Sequence, residues 1–209
     1  MELTLIDQEI TTETYSFDKL PYPLLNFLKR ELIHNVATVA LELVDIYTNT
    51  TILTDDLICE RLKLIPIKSA AVDSLNFVDQ CTCQNQGCSQ CVLKYTLDVT
   101  ATSKVALTSN YFIGENSDFK ILSDIFICHM EPGQQLHLEA YAIKGYGLDH
   151  AKWQHCQVQY TDSSFTVEHH GTIDVEKNLK EIIYKLVSDP DNKFNQRYKE
   201  ATIRLSQSF

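Results

Sequence analysis

No apolar run in this chain approaches the roughly 18 to 20 residues that a membrane span requires. Glycine and proline are scarce, at six and five residues, which excludes collagen-like and low-complexity disordered classes. Positive charge is short as well: 18 lysines and arginines face 28 aspartates and glutamates, a formal net charge of −10. Phosphate neutralisation supplies most of the affinity of a protein that grips nucleic acid. No Lys/Arg cluster stands out before the last twenty residues, so direct nucleic-acid binding is disfavoured. A Gly-rich phosphate loop, H-E-x-x-H and G-x-S-x-G are all missing, and the carboxylates are scattered, with no magnesium-holding cluster of aspartates. No catalytic residue is expected in this chain. The N-terminus, MELTLIDQEI, lacks the basic region of a secretory signal, so the protein is expected to stay inside a cell. Asn49-Thr50-Thr51 fits the glycosylation pattern, which carries no meaning without a secretory route.

What remains is the composition of an ordinary globular protein: 209 residues, 44% hydrophobic and 22% charged, enough for one large domain or two small ones. Residues 1–10 alternate and read as a first strand. After Leu20-Pro21-Tyr22-Pro23, the spacing of Leu24, Leu25, Phe27, Leu28, Leu32 and Ile33 predicts a helix to residue 34 with one wide apolar face. Residues 36–51 are β-branched and strand-like. A short helix is expected over 55–64, stopping before Pro66. Further strands are expected over 92–101, 104–108, 125–128 and 136–144, while 118–122 is ambiguous. Val175, Leu179, Ile182, Ile183 and Leu186 follow helical spacing, predicting an amphipathic helix over 174–188. Asp174 is its expected N-cap and Asp189-Pro190 its stop, with Glu176/Lys180 and Glu181/Lys185 as supporting pairs. Phe194, Tyr198, Ala201 and Leu205 repeat the spacing more weakly, as in a tail helix that orders against a partner.

This order predicts an α+β fold. Neither end segment has enough strands to close a core alone, so a two-layer domain built from 1–38 and 158–209 is expected, interrupted by a β-rich insertion over 39–157.

Seven cysteines in a reducing compartment are not a disulfide framework. Cys59, Cys128 and Cys156 are isolated, and the last two read as buried apolar residues. Cys81, Cys83, Cys88 and Cys91 fall within eleven residues, offering four thiolates to one tetrahedral Zn²⁺. A closed set with no position for water points to a structural ion that fixes a loop with little core. Gly87 supplies the positive φ that a tight ligand turn needs. The alternatives are four unliganded thiols, an iron–sulfur cluster, whose C-x2-C-x2-C run is lacking, and a redox dithiol at Cys88/Cys91. His150, His155, His169 and His170 read as surface histidines in preference to a second metal site.

The stretch from Asn26-Phe27-Leu28-Lys29-Arg30 to Pro66 resembles the signature of the α-like RNA polymerase family. That family holds the third-largest subunit of eukaryotic RNA polymerase II, its counterpart in polymerases I and III, and the corresponding archaeal subunit. Bacterial α is more distant. Leu28-Lys29-Arg30, Ala40, Val44 and Asn49-Thr50-Thr51 fall in the family register. Asp55-Asp56-Leu57-Ile58-Cys59-Glu60-Arg61-Leu62-Lys63-Leu64-Ile65-Pro66 continues it. The four cysteines follow where eukaryotic members bind zinc. Lys144-Gly145 and His150-Ala151-Lys152-Trp153 resemble the segment near the end of the family's inserted domain. The helix over 174–188 matches the family's dimerisation helix by pattern only. Departures lie at Phe27, Lys29, Asp56, Cys59 and Lys63, and they weaken inferences about contacts there.

The resemblance implies a non-catalytic assembly subunit of a DNA-directed RNA polymerase, holding one structural zinc ion. Its interrupted domain would pair with a smaller α-like subunit, and the heterodimer would be the platform for the two largest, catalytic subunits. The implied interface is Leu24, Phe27, Leu28, Leu32, Val175, Leu179, Ile182, Ile183 and Leu186; a private intrachain core is the alternative. Arg61, Lys152 and Trp153 would touch a large subunit by analogy, or pack locally. Nucleic acid would be met only through the complex, and no membrane is involved. The short stretch between Trp153 and the final helix fits a compact lineage such as that of a large DNA virus. The expected location is the nucleus for a cellular protein, the cytoplasm or virion for a viral one. Because the chain ends at Phe209, the partner is expected in trans. A free-standing zinc-binding interaction module is the competing reading.

Overall fold

The computed structural model describes residues 11–16, 20–188 and 203. In chain order the first elements are β1 (Thr11–Ser16), α1 (Tyr22–His34), β2 (Ala37–Asn49) and α2 (Asp55–Lys63). Next come β3 (Val92–Thr100), β4 (Val105–Thr108), β5 (Ile113–Gly114), β6 (Phe126–Met130) and β7 (Gln135–Tyr146). The described chain closes with β8 (Cys156–Tyr160), β9 (Ser164–His169) and α3 (Val175–Ser188). The result is a mixed α/β protein rich in strands. No helix among the described residues is long and apolar enough to cross a membrane.

The chain divides into two compact units. The first draws on the described residues of Met1–Val36, Tyr146–Leu148 and Gln154–Phe209, and the second on Ala37–Gly145 and Asp149–Trp153.

In the second unit the strands run in the order β2-β7-β3-β5, with β4 and β6 forming a separate antiparallel pair. Strict alternation makes the central pair. Leu93 lies opposite Ala142, Tyr95 opposite Ala140, Leu97 opposite Leu138 and Val99 opposite Leu136, and all eight are buried. Leu93 and Tyr95 sit large against the small Ala142 and Ala140, while Lys94/Tyr141, Thr96/Glu139 and Asp98/His137 line the other face. Ile58 and Leu62 of α2 join the same core as Leu41, Leu107, Ile127 and Met130. Asp55 and Asp56 in its first turn and Arg61 and Lys63 in its last complement the helix dipole. Residues 118–122 form no regular element: a single bridge, Ile67 to Ile121, and the buried Phe119 hold them.

The first unit has a three-stranded antiparallel sheet, β1-β9-β8, with α1 and α3 sharing its core. Pro23 sits in the first turn of α1, where its missing N–H is harmless. Asp174 caps α3, its Oδ1 accepting the Lys177 N–H at 2.9 Å, as the sequence indicates. Lys180 pairs with Glu176 at 2.6 Å, whereas Glu181 lies 3.9 Å from Lys177. The strand expected over 1–10, the Asp189-Pro190 stop and the tail helix fall outside the described residues. Strands β1, β8 and β9 here, and β5 in the second unit, have no counterpart among the expected strands.

Candidate functional site

Between Leu75 and Val92 the chain has almost no apolar content, and its backbone turns tightly. Gln84, Asn85 and Gly87 take φ values of 53°, 65° and 74°, the left-handed region in which glycine is free of strain. These turns converge the four cysteines: their sulfurs all lie within 4.8 Å of one another. Sγ of Cys81 is 3.6 Å from that of Cys88, Cys83 is 3.6 Å from Cys91, and Cys88 is 3.8 Å from Cys91. A tetrahedral ion with metal–sulfur bonds of ~2.3 Å sets its ligand sulfurs about 3.8 Å apart. A disulfide needs about 2 Å. Sulfurs this close can share one ion and leave no room among them for several irons and bridging sulfides.

Cys81 and Cys91 are buried, and Cys83 and Cys88 half-buried. The backbone N–H of Cys83 holds the Cys81 thiol down, to about 7, while burial pushes Cys91 up to about 12. Without an ion, Cys91 keeps its proton at neutral pH. A bound cation displaces it, so binding releases protons.

Lys144 of β7 braces the approach to this loop. Its ammonium donates to the Val72 and Leu75 carbonyls, both at 3.0 Å, and lies 4.9 Å from the Phe77 ring centroid. Burial lowers its pKa. The neighbouring Gly145 makes room for Trp153: a Cβ there would lie 2.3 Å from the indole. The buried Trp153 donates through Nε1 to the Ile143 carbonyl at 3.3 Å. Lys152 lies over its ring, 4.3 Å from the centroid, and pairs with Glu42. Arg61 donates to the Ile127 carbonyl at 2.6 Å. Arg61, Lys152 and Trp153, expected by analogy to touch a large subunit, thus all have intrachain packing roles.

Asn49-Thr50-Thr51 builds the turn from β2 into α2. Asn49 donates to Asp55 at 2.7 Å and to the Leu53 carbonyl at 2.9 Å, and its Oδ1 accepts from the Thr51 N–H at 2.9 Å. Thr50 accepts the Gln135 N–H at 2.7 Å, tying this turn to the start of β7.

The residues expected to meet a partner helix lie in the core of the first unit. Leu24, Leu28, Leu32, Val175, Leu179, Ile182, Ile183 and Leu186 are buried there, and Phe27 packs against it half-buried. The physical reason lies in the sheet: Tyr15, Val158, Phe165 and Val167 need a cover, and the two helical stripes supply it. Of the large apolar side chains on these helices, Tyr22 and Tyr184 are the exposed ones.

His169 corrects an expectation. It is 4% exposed, not a surface residue, and its Nε2 lies 3.1 Å from Glu13 Oε1. Because Nδ1 accepts the Gly171 N–H at 3.0 Å, Nε2 carries the proton and donates to the carboxylate. Tyr15 donates to the other Glu13 oxygen. The His169 hydrogen bond, aided by Tyr15 and opposed by burial, holds the Glu13 carboxyl below its usual range. Strand alternation alone does not reveal this trio, since Glu13 and His169 occupy positions where apolar residues are expected. Cys128 and Cys156 are buried, and burial raises both thiols.

Fold and site together define a discontinuous α/β protein whose β-rich unit, enclosed in sequence by the other, carries a four-cysteine loop able to hold one ion. The RNA polymerase Rpb3/RpoA insert domain family matches residues 44–166, and the chain belongs to that family. It is 37% identical over 149 residues to DNA-directed RNA polymerases IV and V subunit 3B of Arabidopsis thaliana, covering 61% of this chain and 46% of that one. It is 30% identical over 147 residues to DNA-directed RNA polymerase subunit Rpo3 of Methanopyrus kandleri, covering 70% and 53%. A conjugation stage-specific protein of Tetrahymena thermophila is 30% identical over 190 residues, covering 80% and 60%. The chain spans about half to three-fifths of the length of these relatives.

Proposed function

We propose that this chain is a non-catalytic assembly subunit of a multisubunit DNA-directed RNA polymerase. The observation that carries the reading is the family match over residues 44–166, which encloses the cysteine loop and the Lys144–Trp153 segment. Relatives named as subunit 3 of such polymerases in a plant and an archaeon support it. The discontinuous unit is the dimerisation domain, pairing with a smaller α-like subunit, and the heterodimer is the platform for the two largest subunits. The buried stripes of α1 and α3 fix the helix pair, and its outer surface, with Tyr184 73% exposed, meets the partner. The ion is Zn²⁺: four thiolates in a closed tetrahedral set are its structural coordination, and its role is to fold the loop.

Affinity purification of the tagged chain from its native source tests this reading. Two very large companions and one small α-like companion at equal stoichiometry are expected. A monomer, or companions foreign to transcription, would overturn it in favour of a free-standing zinc-binding interaction module.

A further inference from the structure

The outward face of the sheet β2-β7-β3-β5 is not a flat solvated surface. Beside the cysteine loop it sinks into a groove of about 960 Å³, with Gly87 and Cys88 in its wall. Leu43 of β2, Val92 and Ile143 contribute an apolar strip. Leu43 is 54% exposed and lies on an edge strand of its sheet. Three carboxylates, Glu42, Asp45 and Glu115, line the same groove with a single lysine, Lys94. That lysine is taken: it sits 2.7 Å from Glu139, which also accepts from Tyr141 at 2.7 Å and Tyr47 at 3.1 Å. Glu42 is matched by Lys152. Asp45 and Glu115 form no salt bridge among the described residues. The groove therefore has an aliphatic strip flanked by two carboxylates that lack a salt bridge among the described residues.

We propose that this groove docks an extended segment of a partner polypeptide that carries Lys or Arg beside an aliphatic side chain. A basic side chain meets Asp45 or Glu115, which lie toward opposite edges of the four-stranded sheet, and the aliphatic group covers Leu43. Charge decides the class of occupant. A phosphate backbone is repelled, and a second copy would bring another acidic groove on a chain of net charge −10. Where extended peptides are recognised at a sheet, pockets for alternate side chains give the specificity. A face and a partner chemistry are thereby added to the assembly reading, on which the docking does not depend.

The test is photo-cross-linking in the native source, with p-benzoylphenylalanine in place of Leu43 and, as control, in place of Ile52, which is 86% exposed and outside the groove. The expected product at position 43 joins a peptide of another polypeptide with Lys or Arg within a few residues of the joined carbon. The charge reversals Asp45→Lys and Glu115→Lys together are expected to cut its yield about tenfold, as loss of ~1.4 kcal/mol does. A product no stronger than at position 52 overturns the docking site. So does one to nucleic acid, to this chain or a second copy of it, or to a peptide without basic residues. A basic partner segment from a protein foreign to transcription would sink the assembly reading and leave the groove's assignment standing.

Discussion

A methyl group on Gly145 would lie 2.3 Å from an indole carbon of Trp153, and neither the strand backbone nor the buried ring has room to retreat. Gly145→Ala is therefore expected to destabilise the second unit by about 1–3 kcal/mol. The chain's one tryptophan reports this directly, as a lower denaturant midpoint by fluorescence. At Glu13 the carboxylate accepts from both Tyr15 and His169, whereas an amide has one oxygen to offer. Glu13→Gln should cost about 1–3 kcal/mol through the donor left unmatched. The sign with pH follows from the lowered Glu13 value. Its stabilisation is complete above the unfolded carboxyl range, about 4.3, and is lost as pH falls through the folded value. The gap between the unfolding midpoints of wild type and Glu13→Gln should thus narrow as pH falls below the unfolded carboxyl range; parallel curves would refute the assignment. Lys144-Gly145 and His150–Trp153 were legible as a pattern of letters, but not the reason for it. That reason is a ring lying across a strand backbone at Gly145, which no local spacing encodes.

Among the elements, those that a period reveals were legible: α1, α2, α3, β3 and β7 start and stop within about two residues of the sequence reading. Strands β8 and β9 are five and six residues long, and β9 turns His169 inward, so its alternation is broken where it matters. The cysteine loop was legible because four cysteines close in sequence need little else to converge. If the loop holds zinc as proposed, Cys88→Ser should abolish stoichiometric metal and raise hydrogen exchange across residues 75–91, leaving the helical circular dichroism intact. An unchanged melting profile with the metal gone would sink the structural role. For the helix pair, burial decides which substitution is informative. Leu179→Asp places an unpaired charge in a core and is expected to unfold the first unit. Tyr184→Asp, at an exposed site, should keep the fold and weaken capture of the proposed small α-like companion. Capture at wild-type yield by the Tyr184 variant would move the interface elsewhere.

At the scale of the whole molecule, the excess of carboxylates governs what the chain does alone. The isolated protein should not retard duplex DNA at physiological salt, since few phosphates can be neutralised; a tight, salt-sensitive shift would contradict a scaffold role. The fold class was legible from the order of elements and the family from its signature. A domain joining the two ends was expected, but not the strand pairing inside it, because β1 and β9 meet through a register fixed by partners about 150 residues apart, as Thr14 and Thr166 illustrate.

That separation bears on how the protein is made. The Leu148 N–H donates to the His34 carbonyl at 3.0 Å, so the chain leaves the first unit and comes back at neighbouring points. Once Ala37–Gly145 has folded, it acts as a clasp that replaces most of the intervening loop, lowering the closure entropy for β1 and β9 by roughly 1 kcal/mol. On the ribosome the enclosed unit can finish while β1 and α1 have no sheet to join. Competence to recruit a partner would then arise late in translation, when β9 and α3 emerge, so half-made chains would not engage it.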